Sequence, residues 1–377
     1  MPRILLVSEW APPDAGIARH SLHLANEWAN DSFEIAVLAP KERKAIQQMD
    51  RGADFPVHRI LGLRLTPEIC HIIDGFKPDH VVIQYSFAAL RGGSIGAIGV
   101  ARYCRDLNIH VALACHEASR DTGRTGFAGR HLYRKMANLD LDCVAFVESE
   151  KEALVKLGFL NVRLVAHGSR RVPRATETEI VRARRGIDIG APLVLAFGYL
   201  HPHKGFETYV DAANLVRSRG VVFLLAGGVR QRRGVFRWFG RVDNQYSQEL
   251  ESRISSLKSA VDFRRQGFVD EAEIHALLQS ATMVVLPYLQ ISQSGVAAEL
   301  LSNGCVVVAS DLPGLHSVLG DAARYVPVGH AQELADAIDG LLQSPSEREE
   351  LRQRARSRAA ATSLAITAQE ILSFSEE

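Results

Sequence analysis

The sequence predicts an α/β chain of two doubly wound, parallel-sheet domains, and three observations carry that prediction. At 377 residues the chain exceeds one average domain and leaves room for two, each with its own core. Short apolar runs alternate with helix-spaced segments along nearly the whole length, the pattern of parallel strands covered on both faces. The alternation lapses once, near the middle, and then restarts. Apolar residues make up 47% and charged residues 23%, as in an ordinary globular protein.

Ile4 to Val7 form the first apolar run, followed by a Pro-rich loop, Ala11 to Gly16, and by Ile17, Leu22, Leu24, Ala25 and Trp28 at roughly helical spacing. Further runs at Ile35 to Leu38, His80 to Gln84, His110 to Ala114, Cys143 to Val147 and Val162 to Val165 predict strands, with helices such as Ser94 to Asp106 and Ser149 to Leu157 between them. After His167 and Gly168 comes SRRVPRATETEIVRARRGIDIGAP, polar, basic and proline-containing, which reads as the domain boundary and linker. The second half repeats the architecture with runs at Leu193 to Phe197, Val221 to Ala226, Val261 to Arg264, Met283 to Leu286 and Cys305 to Ala309. Its helices fall near Phe206 to Arg217, Gln245 to Lys258 and Glu271 to Gln279, with another opening at Gly295 and stopping at Gly304. Two more helices, Ala331 to Leu342 and Ser346 to Ala361, precede an amphipathic piece from Ile366 to Phe374. The expected domains are therefore 1–170 and 171–358, with 359–377 a terminal helix able to pack back on the first domain.

Lys and Arg total 44 against 43 acidic residues, a formal charge of +1, so no global field draws the chain to nucleic acid and any anion binding must be local. The five cysteines, Cys70, Cys104, Cys115, Cys143 and Cys305, have no paired spacing. That argues against a zinc site or disulfide framework and for buried thiols of a cytoplasmic protein. The first strand turns polar too soon for a signal peptide or membrane span.

Four loops have the residue types an anionic sugar nucleotide needs. In Pro12-Pro13-Asp14-Ala15-Gly16, a glycine at a helix start lets backbone approach a phosphate, although a plain strand-to-helix turn fits the loop taken alone better. Phe197-Gly198-Tyr199-Leu200-His201-Pro202-His203-Lys204-Gly205 puts a lysine just ahead of a helix, where it would neutralise a diphosphate leaving group or simply be solvated. Cys115-His116-Glu117 puts a histidine at a strand's carboxyl end, free to bond a sugar hydroxyl or to be satisfied locally. Ser292 to Asp311 opens a helix at Gly295 whose first N–H groups favour phosphate. Glu299, one turn in, is too deep to cap that helix and suits hydroxyl donors.

Other signals are weaker. Gly92 to Gly99 is glycine-rich without a Walker lysine and reads as a flexible helix entry. Val229 to Arg241 mixes five arginines with Phe236, Trp238 and Phe239. It fits an Arg-coated loop or contact with an anionic membrane. Arg120 to Lys135 is a second basic stretch suited to an anionic or lipid-linked acceptor.

Taken together these residues resemble the retaining glycosyltransferases of family 4, which have the GT-B fold. The resemblance rests on Gly16-Ile17, Ala114-Cys115-His116-Glu117, Val165-Ala166-His167-Gly168, Phe197-Gly198 with Lys204-Gly205, Ala226-Gly227-Gly228, Gly267-Phe268-Val269, Leu286-Pro287, and Glu299 ahead of Gly304 and Val306 to Ser310. It implies two Rossmann-like domains facing a central cleft and transfer of a hexosyl group from a nucleoside-diphosphate-sugar, UDP preferred over GDP, to a hydroxyl acceptor with retention. It also implies that no metal or other cofactor is required. By the same resemblance Gly16, Gly198, Tyr199 and Lys204 line the diphosphate with the N–H groups of Ser294, Gly295 and Val296. Glu299 takes the ribose, Phe268 and Val269 the base, and His116 the donor sugar. His116, Lys204 and Glu299 are the catalytic candidates.

Two positions depart from the pattern. Ile291 stands eight residues before Glu299 where the family has a glutamate, and Tyr199 where it has an arginine. His201 and His203 are candidate compensating cations. The expected role is bacterial polysaccharide, glycolipid or glycosylated-metabolite synthesis in the cytoplasm, with an acceptor that is a sugar, a lipid-linked group or a small molecule. Peripheral contact with the inner membrane face goes with the lipid-linked case. The alternative is a catalytically weak GT-B protein that binds nucleotide or regulates an active transferase.

Overall fold

The computed structural model describes residues 1–11, 16–42, 54–90, 92–123, 126–170, 172–229, 239–267, 269, 271–291 and 295–373. The chain divides into two compact units, Met1–Gly168 with Thr362–Glu377, and Ser169–Ala361.

The first unit runs β1 (Arg3–Val7), α1 (Gly16–Asn30), β2 (Glu34–Pro40), β3 (Val57–Leu61), α2 (Pro67–Phe76), β4 (His80–Tyr85), α3 (Phe87–Leu90), α4 (Gly93–Asp106), β5 (His110–Cys115), α5 (Ala118–Asp121), α6 (Phe127–Ala137), β6 (Asp142–Ala145), α7 (Glu148–Leu157) and β7 (Val162–Leu164). The second runs α8 (Thr178–Ala183), β8 (Leu193–Phe197), a 3-10 turn (Pro202–Lys204), α9 (Phe206–Ala213), β9 (Val222–Ala226), α10 (Phe239–Ser255), β10 (Asp262–Gln266), α11 (Glu271–Ser280), β11 (Met283–Leu286), α12 (Gly295–Ser302), β12 (Val307–Ser310), α13 (Pro313–Leu319), β13 (Ala323–Val326), α14 (Ala331–Gln343) and α15 (Pro345–Ala361). The last helix, α16 (Leu364–Leu372), returns to the first unit.

Among the described residues the strands pair in parallel, in a seven-stranded sheet ordered β3-β2-β1-β4-β5-β6-β7 and a six-stranded sheet ordered β10-β9-β8-β11-β12-β13. Each order reverses once, between β1 and β4 and between β8 and β11. The carboxyl ends of those strands are where doubly wound sheets leave a crevice for ligands. The apolar runs pack as a strand covered on both faces must: Leu5 and Val7 enter one core while Ile4 and Leu6 enter the other. Leu193 and Leu195 are likewise separated from Val194 and Ala196.

Three local readings change. The Gly92 to Gly99 stretch is no loose entry but lies mostly within α4, packed hard against β3's exit. A Cβ at Gly96 would sit 2.3 Å from the Gly62 carbonyl oxygen and one at Gly99 2.9 Å from the Leu65 Cβ. The stretch read as linker belongs to the second unit, where α8 buries Arg182, whose guanidinium donates to the Ser280 carbonyl at 2.9 Å. The short strands β3 and β13 and the helices α2 and α13 are elements the apolar pattern did not reveal.

The C-terminal helix is anchored by Trp28 Nε1, which donates to the Ala368 carbonyl at 3.0 Å, and by the Thr367 hydroxyl, which donates to the Ala166 carbonyl at 2.9 Å. Leu364, Ala368, Ile371 and Leu372 complete the core under α1. Among the described residues no helix is long and apolar enough to cross a membrane.

Candidate functional site

In the second unit the predicted phosphate residues gather at the sheet's switch point. The loop after β8 holds Gly198 with φ 132°, a backbone conformation that favours glycine. Its amide donates to the Ala226 carbonyl at 3.0 Å. A Cβ on Gly227 would come within 1.9 Å of the Gly198 carbonyl oxygen, so the loops after β8 and β9 touch backbone to backbone.

The 3-10 turn then lifts Lys204, with His201 Nδ1 accepting from the His203 amide at 3.2 Å. Gly205 follows with φ 58°, and a Cβ there would lie 2.1 Å from the Pro287 carbonyl oxygen. The Leu289 amide donates to the His203 carbonyl at 2.8 Å. These contacts tie the loop after β8 to the segment after β11, and they set the Lys204 ammonium over the Tyr288 ring, 3.7 Å from its centroid. Cation–π contact of this kind holds a lysine in place without neutralising it. Tyr288 is fully buried.

Glu299 lies in α12 as expected, but in company that the sequence did not show. Its Oε1 is 3.2 Å from His275 Nδ1 and 3.8 Å from Arg170 Nη2. Arg170 Nη2 also meets His275 Nε2 at 2.7 Å. A guanidinium only donates, so His275 Nε2 carries the lone pair and Nδ1–H donates to Asn303 Oδ1, 3.2 Å away, leaving the nearby Glu299 Oε1 without a hydrogen bond among the described residues. Arg170 answers the carboxylate's charge. No local signal linked either residue to Glu299; the chain brings them together from the supposed linker and from α11.

Gly295, first residue of α12, is exposed, while Val296 is partly buried and turns its side chain to the core. Val269 and Ile291 pack against the same core. Ile291 thus fills with apolar contact a position where the family has a carboxylate. Tyr199 is 39% exposed. Of the two candidate cations, His203 is exposed, and His201 Nε2 lies 3.6 Å from Asp243, itself buried. Phe268, Ser294, Ser292 and Gln293 lie outside the described residues, as do Pro12 to Ala15 and residues 230–238 of the arginine-aromatic stretch.

In the first unit Gly16 opens α1 with open space where a Cβ would go. His116 is not a surface histidine but is 1% exposed. Its Nε2 meets Gln84 Oε1 at 2.6 Å, and its ring leans on Phe146, centroids 4.8 Å apart. His20, not singled out by sequence, and His167, noted there without a role, stand beside it, with ring centroids 5.4 Å and 6.1 Å from that of His116. Burial holds all three imidazoles below the ordinary histidine pKa. His20 falls to about 4 even though the His167 carbonyl and Gln84 favour its charged form. At neutral pH this corner offers uncharged hydrogen-bonding nitrogens. Of the basic stretch after it, α6 leaves Phe127 80% exposed beneath the Arg130 guanidinium.

Residues 191–344, within the second unit, match the family described as Glycosyl transferases group 1. The chain is similar to the alpha-D-kanosaminyltransferase of Streptomyces kanamyceticus, 27% identical over 237 residues that cover 61% of this chain and 57% of that protein. It is also similar to the phosphatidyl-myo-inositol mannosyltransferase of Mycolicibacterium smegmatis, 36% identical over 98 residues, 25% of each chain. The chain thus spans little more than half the length of the first curated relative and less of the second.

Among solved structures, Alr3699/HepE of Anabaena, crystallised with UDP, superposes with a TM-score of 0.75 at 16% identity over 100% of both chains. A glycosyltransferase of Rickettsia africae superposes with a TM-score of 0.77 at 14% identity, over 99% of this chain and 97% of that one. The fold is accordingly GT-B, two Rossmann-like parallel-sheet domains.

Proposed function

We propose that this protein is a nucleotide-sugar-dependent glycosyltransferase that moves a hexosyl group, UDP-linked in preference to GDP-linked, onto a hydroxyl acceptor with retention of configuration. The observation that carries the reading is Lys204, fixed on the Tyr288 ring at the switch point of the second sheet with glycine-lined backbone on either side. A diphosphate bound there loses its sugar more readily because the ammonium stabilises the charge that builds on it.

The α12 N-terminus adds the N–H groups of Gly295 and Val296, with Ser294 ahead of them. Gly16, Gly198 and Tyr199 complete the diphosphate surround. Glu299 accepts from the ribose hydroxyls while Arg170 and His275 hold its other side. Phe268 and Val269 flank the base, and His116, neutral, meets the donor sugar. The leaving phosphate takes the acceptor's proton, so the reading calls for no carboxylate pair and no metal. The crystal structures of HepE with UDP and with UDP-glucose support the choice of donor. Similarity to a mannosyltransferase named for phosphatidyl-myo-inositol supports a lipid-linked acceptor, with a sugar or small molecule as the other acceptor kinds, within bacterial glycolipid, polysaccharide or glycosylated-metabolite synthesis. The setting is cytoplasmic, peripheral at the inner membrane face where the acceptor is a lipid.

The test is thermal stabilisation by UDP and GDP, followed by donor turnover with a panel of acceptors and NMR assignment of the product anomer. A chain that neither nucleotide stabilises does not have this function. Ile291, packed into the apolar core, favours a second reading as a catalytically weak nucleotide-binding partner of another transferase. Normal UDP binding without turnover of any donor would select it.

A further inference from the structure

We infer that His20, His116 and His167 form a site for a divalent transition cation of the zinc class, and that the cation, when bound, shuts off sugar transfer by occupying His116. The ligand-capable atoms of the three side chains lie within 4.8 Å of one another. Imidazole nitrogens around one Zn²⁺ at about 2.0–2.1 Å sit about 3.4 Å apart, so small side-chain rotations close the set.

The elements that deliver them follow strands of the first sheet at their carboxyl ends. His20 comes from α1 after β1, His116 follows β5 and His167 follows β7, while Phe146, after β6, packs its ring against all three at centroid distances of 4.8 to 5.5 Å. The hydrogen bonds around the cluster already set the tautomers a metal needs. The His167 carbonyl can only accept, so His20 Nε2, 2.9 Å away, carries the proton and leaves Nδ1 as a lone pair. That Nδ1 is buried and makes no hydrogen bond among the described residues. The Gln84 amide oxygen accepts from His116 Nε2 at 2.6 Å, so this ring too presents Nδ1 as its lone-pair nitrogen.

The buried His20 Nδ1, without a hydrogen-bond partner among the described residues, asks for an electrophile, and a cation shared with His116 and His167 supplies one. Imidazole suits Zn²⁺, Cu²⁺ and Ni²⁺ over the hard cations that oxygen ligands select. His167 is partly exposed and gives the route in.

The inhibitory half rests on the proposed role of His116 at the donor sugar; the binding half does not. The test uses the full-length chain stripped with a chelator. Co²⁺ titration should give one equivalent with tetrahedral visible absorption, displaced by Zn²⁺. His20→Gln and His167→Gln should each weaken it at least tenfold, while His23→Gln, on α1 but outside the cluster, should not. Circular dichroism and thermal melting verify that the variants fold. No stoichiometric uptake, or uptake that both cluster variants retain, overturns the site. With an active donor and acceptor pair, stoichiometric Zn²⁺ should abolish turnover and EDTA restore it. Binding at the cluster with turnover untouched overturns the inhibition and the assignment of His116 together. Absence of turnover in the metal-free protein is instead the failure of the proposed function, and it leaves the Co²⁺ result standing.

Discussion

The two units are built alike and equipped differently. Each is a doubly wound parallel sheet with one reversal of strand order, and each gathers its polar residues at the carboxyl ends beside that reversal. In the first unit those residues are buried, neutral histidines and an amide. In the second they are a lysine held over an aromatic face and a carboxylate answered by an arginine. The difference separates two tasks that the same fold can serve. Charged groups suit a diphosphate whose charge grows during the reaction, while uncharged donors and acceptors suit hydroxyls that change little.

The sharpest way to break this division is Lys204→Ala. Loss of one charge-stabilising group should lower turnover by about 10²- to 10³-fold, on the order of 3 kcal/mol in the barrier. UDP binding measured by calorimetry should fall far less. Equal losses in both would make Lys204 an ordinary binding residue.

Glycines test the division next, because they serve packing in one unit and the site in the other. Gly96→Ala drives a Cβ toward the Gly62 carbonyl and should cost about 1–3 kcal/mol in urea unfolding, as overpacking does, with turnover per folded molecule unchanged. Gly205→Ala combines a positive φ with a clash against Pro287 and should lose both stability and turnover, since it moves Lys204. Glu299→Gln is milder. It keeps the shape and removes the charge, so UDP affinity should weaken about tenfold, the ~1.5 kcal/mol of a hydrogen bond to an ionised acceptor. Unchanged affinity would detach Glu299 from the ribose.

What the sequence made legible follows from where each signal is stored. The strands β1, β4, β5, β8, β11 and β12 lie inside the sheets, buried on both faces, and show as apolar runs. Strands β3 and β13 lie at sheet edges, half exposed, and VHRIL and ARYV carry no such run. Lys204, Gly205 and Glu299 stand out as candidates in the sequence because loop and helix start are local chemistry, written in a few adjacent residues. Arg170 and His275 do not, because only tertiary packing brings them to Glu299 from the segment after β7 and from α11. His20 sits on a helix whose spacing reads as core, which it is, and only the sheet order shows that this core faces His116. Glycine is ambiguous in sequence for the same reason: at Gly96 it permits close packing, at Gly198 a positive φ.

Acid titration gives the smallest and most specific contrast between the units. Asp121, in the first, is pushed above its ordinary pKa of 3.8 by burial, although the Phe87 amide at 2.7 Å and the Tyr133 and Ser86 hydroxyls partly stabilise its charge. Asp339, in the second, is also penalised by burial. There the Ser218 hydroxyl at 2.6 Å and the Ser218 and Arg217 amides, each at 2.9 Å, more than offset it and draw the pKa below 3.8. The signs therefore oppose. Folded Asp121 takes up its proton at a higher pH than the unfolded chain does, so the native state gains stability as pH falls through its folded pKa toward 3.8. Folded Asp339 resists protonation, so its contribution is complete above 3.8 and is lost as pH falls through its lower folded pKa. Measured by urea unfolding from pH 7 to pH 3, the margin of the wild type over Asp121→Asn should widen on acidification, while its margin over Asp339→Asn should shrink. Parallel slopes for the two variants would mean that hydrogen bonding does not distinguish these carboxylates, and that the contrast between the units ends at their ligand-facing groups.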